Sequence, residues 1–388
     1  MKITDVRTTT FTYPTGGTVD IVGHGRAGPV QDKYQTLLTI ETDEGVAGYA
    51  FGATPNLIEH AVKPVLLGHD PFDRELLWQR LVLLQRYHKD LHDQELGVID
   101  LALWDLLGRA VDKPVWKLLG GYRDKVLAYA STPCGGGPGE RLSTPDEYAQ
   151  LARQCVARGF KAIKLHSWMP PVPSWEHNPK RDIEACEAVR DAVGPDVPLM
   201  LDCWHYFSRE EALYLGRELE RLDFHWIEEP LDEFSMSSYI WLADQLDIAV
   251  LGPEHLPGHH KSRAEWVVRG ACDILRASIM HCGGITAMMK IVHMAESFDV
   301  SVELHGGGTA SLHVLGAMAI PGEYLELGAN PSSEKSFPPY LQDDPAHMDD
   351  DGYVHMPTRP GIGETIDFDY INSRAIEPPA DLRLQRQR

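Results

Sequence analysis

The six cysteines of this 388-residue chain include no Cys-x-x-Cys pair. They are spread along the sequence, at Cys134, Cys155, Cys186, Cys203, Cys272 and Cys282. This spacing excludes a zinc ribbon and a dithiol redox motif, so we expect reduced and mostly buried thiols. No Gly-x-Gly-x-x-Gly follows an early strand pattern, and nothing therefore supports a dinucleotide-binding fold.

Positive charge is also scarce, because 36 Lys and Arg face 57 Asp and Glu and the formal net charge is −21. This charge opposes binding to nucleic acid or to an anionic membrane surface, and we expect neither as a partner. No segment approaches the length of a membrane span, and the first residues alternate like a strand rather than a signal peptide. We predict a cytoplasmic protein. An anionic substrate would need a local positive charge at its site, such as a metal ion.

The composition, 43% apolar and 24% charged, is that of a folded globular protein, and the length favours one large or two modest domains. Residues 1–124 combine a hairpin pattern, 2–13 and 34–51, with three helical patterns after residue 55, which predicts a small α+β unit. Residues 330–388 are rich in proline and acidic residues. We expect this last segment to return to the first domain.

Between residues 125 and 329 short apolar runs alternate with amphipathic helices, which is typical of repeated β/α units. The eight runs are 126–131, 162–165, 199–204, 224–228, 249–252, 273–277, 300–304 and 324–327. Thr144 to Glu147 and Ser208 to Glu211 are capping-box patterns that mark helix starts between the runs. Eight strands with intervening helices fit a parallel β/α barrel better than an open sheet.

Three acidic residues follow successive apolar runs at equal spacing, since Glu228 lies 26 residues after Asp202 and Glu254 lies 26 residues after Glu228. One β/α unit per interval places the three carboxylates at the C-terminal ends of neighbouring barrel strands, where barrel active sites lie. Converging anions repel each other unless a cation lies between them. Oxygen ligands favour a hard divalent ion, and we predict Mg²⁺. The alternative is that each acid caps a helix or pairs with a surface lysine.

Lys164 and His166 lie two residues apart at the end of another run, so their side chains point to the same side of the strand. A divalent ion nearby would disfavour the charged form of either group, and either could then act as a general base. The alternative is that both are simply solvated. His305 ends the seventh run, before three glycines, and is a further catalytic candidate.

Four other residues near the predicted strand ends are candidates for substrate contact. Glu326 lies on the eighth run and could hydrogen-bond a substrate oxygen. His205 and His255 follow the acids Asp202 and Glu254 closely, so they could reach substrate or support the ligands. Trp204 lies beside His205. Each of these residues could equally belong to the scaffold.

These residues and several short segments together resemble the enolase superfamily, and within it the mandelate racemase subgroup. The segments are 97–108, 164–166, 201–204, 226–230, 252–255 and 282–286. The resemblance implies a (β/α)7β TIM-type barrel with an α+β capping domain formed from the N-terminal segment and the C-terminal tail. It further implies Mg²⁺ held by Asp202, Glu228 and Glu254, a homo-oligomer, and a substrate-selecting loop at 18–30 that contains His24 and Arg26.

Two residues depart from the pattern of the subgroup. His166 stands where a second lysine is usual, so the base could be Lys164 or His166. Ser278 stands where an aspartate commonly orients the seventh-strand histidine, here His305. Without that carboxylate the imidazolium form of His305 has weaker support, which argues against a symmetric two-base racemase.

The resulting hypothesis is a Mg²⁺-dependent acid-sugar dehydratase, a hydro-lyase acting on an aldonate or aldarate. The substrate would lose its α-proton to Lys164 or His166, pass through an enediolate, and lose the β-hydroxyl with a proton from His305, giving a 2-keto-3-deoxy acid. His205 and Trp204 are consistent with a polyol chain. One alternative is a racemase, epimerase or lactone cycloisomerase using the same enediolate. Another is a non-catalytic binding protein on the same barrel.

Overall fold

A computed structural model describes residues 1–18, 27–135, 142–166, 177–320, 322–329, 337–344 and 346–378. The N-terminal hairpin pattern forms a three-stranded antiparallel sheet in the order β1-β2-β3. The strands are β1 Ile3–Thr18, β2 Ala27–Thr42 and β3 Ala47–Phe51. Between β2 and β3 the chain turns at Gly45, whose φ of +76° lies in the left-handed region that glycine adopts without strain.

The helical patterns after residue 55 form helices that pack on this sheet. They are α1 Pro55–Leu57, a π-helical turn Ile58–Val62, α2 Lys63–Leu66, α3 Arg74–Leu84, α4 Asp93–Ala110 and α5 Val115–Leu118. Apolar residues at helical spacing on α4, among them Leu96, Ile99 and Leu103, join the sheet residues Val6 and Ile40 in one buried cluster. The first sheet therefore folds around α4 because α4 presents a continuous apolar stripe.

The eight apolar runs form eight parallel strands. They are β4 Lys125–Ser131, β5 Ala162–His166, β6 Leu199–Asp202, β7 Trp226–Glu228, β8 Ala249–Gly252, β9 Ile274–Ser278, β10 Ser301–His305 and β11 Tyr324–Gly328. Ladders join them in the order β10-β9-β8-β7-β6-β5-β4-β11. At the two ends of this order, the amide of Glu323, just before β11, donates a hydrogen bond of 2.7 Å to the carboxylate of Glu303 on β10. The predicted barrel is confirmed.

Helices cover the outside of the parallel sheet. They are α6 Pro145–Ala157, α7 Pro179–Val193, α8 Arg209–Arg221, α9 Met236–Gln245, α10 His259–Val268, α11 Ile285–Glu296 and α12 Thr309–Ala317. Both predicted capping boxes are present, with Thr144 and Glu147 at α6 and with Ser208 and Glu211 at α8. None of the helices within the described ranges is long and apolar enough to cross a membrane.

The described part of the C-terminal segment contacts both preceding units. Its strand β12 Tyr353–His355 pairs antiparallel with β4. Its helix α13 Phe368–Ser373 lies near β1, where a bridge joins Phe11 to Ala375. Phe11, Tyr340 and Ile371 belong to one buried cluster. The division of the chain at residues 124 and 329 stays a prediction.

Candidate active site

The strand register places the candidate acids and the β5 residues on one rim of the barrel. His166 pairs with Asp202 across β5 and β6, and Asp202 pairs with Glu228 across β6 and β7. Glu254 lies two residues beyond β8, and His305 is the last residue of β10. Because parallel strands end on the same rim, residues far apart in sequence become neighbours there.

Lys164 lies at the centre of the acidic cluster. Its Nζ is 3.3 Å from Asp202 Oδ2, 3.1 Å from both oxygens of Glu228 and 3.1 Å from Glu326 Oε1. Lys164 and His166 point into the barrel, whereas Ile163 and Leu165 pack in the cluster between strands and helices. The same-side placement expected from strand geometry is confirmed.

Arg276 on β9 is a second buried cation, which the sequence reasoning missed. Its Nε is 2.8 Å from Glu228 and 3.3 Å from Glu254, and its Nη2 is 2.7 Å from Glu326. Nη1 donates to the hydroxyl of Tyr129 and to the carbonyl of Leu304. Arg276 lies two positions before Ser278 on the same strand, so the period of two that groups Lys164 with His166 also predicts an inward Arg276.

The electrostatic balance of this cluster is that of a site for a divalent cation. The pKa of Glu228 is raised to about 8, because burial, with a contribution from Asp202, outweighs the lowering effect of Arg276 and Lys164. For Asp202, burial also raises the pKa, but Lys164 and His166 outweigh it and hold the pKa well below its usual range. Four acidic groups, those of Asp202, Glu228, Glu254 and Glu326, surround two internal cations, and a further cation would favour the ionised form of all four.

The donor chemistry fits Mg²⁺ as the ion. Asp202, Glu228 and Glu254 offer only carboxylate oxygens, which hard cations prefer, and all three are buried. Lys164 bridges the first pair of these acids and Arg276 bridges the second, so the three carboxylates lie side by side. A divalent ion among them would add positive charge beside the three acids and favour their ionised forms.

His166 joins the acidic cluster to β4. Its Nε2 is 3.0 Å from Asp202 Oδ2, and its Nδ1 is 2.7 Å from the carbonyl oxygen of Thr132. The Thr132 hydroxyl also accepts a hydrogen bond from the His166 amide. The ring orientation is therefore fixed from both sides, with Nε2 directed toward the acids.

Histidines surround Glu254. His255 Nε2 lies 2.5 Å and His305 Nδ1 3.3 Å from Glu254 Oε1. Ser278 pairs with His305 in the β9–β10 register, so the hydroxyl stands where the resemblance placed an aspartate. The pKa of His305 is lowered, because burial outweighs the opposing effect of Glu254. His281, which the sequence reasoning also missed, packs its ring 4.1 Å from that of His255, and burial lowers its pKa to about 4.

A cavity of about 350 Å³ opens above these residues, which is a size that suits a small-molecule substrate. Nine residues line it: His166, Asp202, Trp204, His205, Glu229, Glu254, His255, His305 and Glu326. Lys164 and Glu228 lie beneath the lining, where Lys164 contacts Glu228 and the lining residues Asp202 and Glu326. The structure thus brings together ten of the twelve candidate residues. His24 and Arg26 lie outside the described residues.

His205 and Trp204 reach the cavity from a strained backbone, because their φ angles of 65° and 55° lie in the left-handed region. The His205 amide donates to the carbonyl of Glu229 and its ring Nε2 lies 3.1 Å from the Glu229 carboxylate. Burial lowers the pKa of His205, but Glu229 outweighs it and the result is about 9. The cavity therefore carries a cationic imidazole, held by Glu229, a partner that the sequence reasoning did not identify.

Comparison with known proteins agrees with this architecture. Residues 147–370 match the family described as enolase C-terminal domain-like, and residues 22–120 match the mandelate racemase / muconate lactonizing enzyme N-terminal domain. An arabinonate dehydratase of Saccharolobus solfataricus is 31% identical over 341 residues, 84% of this chain and 87% of that protein. A D-galactarolactone cycloisomerase of Agrobacterium fabrum is 29% identical over 98% of this chain and 100% of that protein.

One solved structure is especially similar. It is a D-glucarate dehydratase from Agrobacterium tumefaciens complexed with magnesium, with a TM-score of 0.93 and 48% sequence identity. The match covers 97% of this chain and 100% of that chain. A racemase from Streptomyces coelicolor with bound magnesium is 25% identical, with a TM-score of 0.77 over 96% of this chain and 100% of that chain.

Proposed function

Because this chain belongs to the enolase superfamily, in its mandelate racemase and muconate lactonizing enzyme group, we propose that it is a Mg²⁺-dependent dehydratase of acid sugars. The observation that carries the proposal is the cavity that brings the buried carboxylates of Asp202 and Glu254, with Glu228 beneath them, together with His166 at the end of β5 and His305 at the end of β10. Similarity to D-glucarate and arabinonate dehydratases supports the same reaction class.

Asp202, Glu228 and Glu254 are the proposed ligands of the metal ion. When bound, the ion stabilises the negative charge that develops on the substrate carboxylate as the α-proton leaves. Arg276 and Lys164 hold these carboxylates side by side from below. His205, Trp204 and Glu326 line the rest of the cavity and offer donors and acceptors to the hydroxyl groups of a sugar chain.

His166 is the proposed base, since it lines the cavity and its Nε2 points toward the acids, whereas Lys164 lies beneath them. Burial and Arg276 lower the pKa of Lys164, but Glu228, Glu326 and other groups raise it well above that of free lysine. Lys164 therefore serves as a base only if other positive charge neutralises these acids. Its ammonium is otherwise a fixed positive charge under the site.

His305 is the proposed acid for the second half of the reaction. The α-proton leaves to the base, the electron pair of the C–H bond forms the enol, and the β-hydroxyl departs as water with a proton from His305. The enol then tautomerises to a 2-keto-3-deoxy acid. Because Ser278 offers no carboxylate, His305 lacks the partner that would sustain it as a second base.

A substrate screen tests this function. The protein with Mg²⁺ is incubated with aldonates and aldarates, beginning with D-glucarate, and the keto acid is detected as its semicarbazone. We expect keto acid from one group of stereochemically related acid sugars, and none from Glu228→Gln. No turnover across both classes, with magnesium binding intact, would contradict dehydration.

The same screen in D₂O separates the alternative reactions. The full-length similarity to a lactone cycloisomerase makes an isomerisation the specific competitor. Deuterium at the α-carbon of recovered substrate or of an epimer, without keto acid, would assign the protein to racemisation or epimerisation. A homo-oligomeric state and a cytoplasmic location stay predictions, and light scattering after gel filtration measures the first.

A further inference from the structure

Three imidazoles and one carboxylate converge beside the acidic cluster. One ligand atom each from Glu254, His281 and His305 lies within 4.8 Å of the other two. His255 approaches the same Glu254 oxygen and packs its ring against that of His281. Within the described ranges, no other group of three or more His, Cys, Asp or Glu side chains has its ligand atoms this close together.

Ser278 lies beside this convergence. Ser278 is the β-ladder partner of His305, and the Nδ1 atom of His305 lies 3.3 Å from Glu254. Beyond β9 the chain turns and carries His281 to the same place. The Nδ1 atom of His281 is buried and has no hydrogen-bond partner among the described residues. A buried nitrogen without a partner is costly unless a ligand satisfies it.

The donor set differs in kind from that of the acidic cluster. Imidazole nitrogens suit zinc and other borderline first-row ions, whereas oxygen donors suit magnesium. Two histidines and one glutamate are also a known zinc ligand set that leaves one coordination position open. We propose that Glu254, His281 and His305 form a second divalent-cation site, selective for Zn²⁺, which shares Glu254 with the magnesium site.

Two consequences follow from the shared ligand. Zinc and magnesium should weaken each other's binding, because both require the Glu254 carboxylate. Zinc should also be a reversible inhibitor, because it engages His305, which the proposed reaction needs as its acid. The second consequence rests on the proposed function, whereas the binding of zinc does not.

Calorimetric titration of the metal-free protein with Zn²⁺ or Mg²⁺ tests the site through a crossed pair of variants. His281→Ala should weaken zinc binding by at least about tenfold, since even outer partners of metal ligands contribute that much, and should leave magnesium binding unchanged. Asp202→Asn should weaken magnesium binding and preserve zinc binding. His60→Ala, at an exposed histidine, is the control and should change neither.

Two results would overturn the proposal. If His281→Ala leaves zinc affinity intact, the histidine is not a ligand. If Asp202→Asn lowers zinc and magnesium affinity together, zinc uses only the acidic cluster. Should circular dichroism show that His281→Ala is unfolded, His281→Gln keeps the residue polar without an imidazole and carries the same expectation. In the activity assay, zinc inhibition that persists at full strength in a folded His281 variant would also contradict the site.

Discussion

At the scale of single residues, the candidate site depends on two buried cations. Lys164 and Arg276 are both fully buried, at 0% exposure, and a buried charge is tolerated only when opposite charges and hydrogen bonds compensate it. Each contacts both Glu228 and Glu326, so the two cations form a positively charged layer beneath the rim. This layer allows four acids to lie close together before any metal ion binds.

The roles of acid and ligand can be separated by a pair of substitutions. His305→Asn removes the proton donor but retains an amide near the Nδ1 position, so turnover should fall by at least about a hundredfold while magnesium affinity is kept. Glu228→Gln removes a ligand charge, so both turnover and magnesium affinity should fall. Calorimetry and the keto-acid assay measure the two effects. Equal loss of magnesium binding in both variants would contradict this division of roles.

At the scale of elements, a buried carboxylate joins the first unit to the barrel. Asp100 on α4 accepts hydrogen bonds from the amide and hydroxyl of Thr286, in the first turn of α11. Gly284 precedes α11 with a φ of +98°, and a Cβ atom there would overlap the Asp100 carboxylate. The close approach of the two helices therefore requires a glycine at position 284, and Asp100 caps the first turn of α11.

The titration of Asp100 predicts how stability depends on pH. Burial raises its pKa from 3.8 to about 6, against the opposing effect of Thr286 and Arg74. The folded state then binds the proton more tightly than the unfolded state, so this group stabilises the fold below pH 4 and loses that contribution as pH rises through 6. The loss amounts to about 3 kcal/mol.

Asp100→Asn removes this titration and tests it. We expect the free energy of unfolding of the variant, measured with urea, to rise relative to that of the natural protein between pH 4 and pH 7. Asn keeps an acceptor for the Thr286 amide, so the helix cap is retained. A constant difference between the two proteins across this pH range would show that Asp100 does not titrate as described.

At the scale of the whole molecule, the net charge of −21 and the acidic rim act in the same direction. Both favour the capture of a divalent cation, and both disfavour an anionic substrate until the cation is bound. The strand ends at the rim come from separate β/α units, so an ion that bridges Asp202, Glu228 and Glu254 ties three units together.

Magnesium should therefore stabilise the folded chain against heat. At a free concentration of about 100 times its Kd, a ligand that binds only the folded state adds about 2.7 kcal/mol. We expect a higher Tm with Mg²⁺, reversal by EDTA, and no magnesium-dependent shift in Asp202→Asn. A shift of the same size in that variant would place the stabilising ion elsewhere.

The sequence alone predicted the barrel, because eight apolar runs of strand length with marked helix starts leave few other ways to bury the chain. It also predicted the shared rim, since equal spacing of Asp202, Glu228 and Glu254 matches one β/α unit per interval. Local periodicity was sufficient for the direction of Lys164 and His166, because side chains alternate strictly along a strand.

Tertiary structure alone decided which distant groups pair. Three sets of contacts depend on barrel closure and on the paths of the loops. They are the ion pairs of Arg276 with Glu228 and Glu326, the ion pair of His205 with Glu229, and the convergence of His281 and His305 on Glu254. Periodicity specifies the side to which a residue points, but not its distance from a residue on another strand. That distance is set by the register of the whole sheet and by the turns beyond the strand ends, where local sequence patterns carry little information.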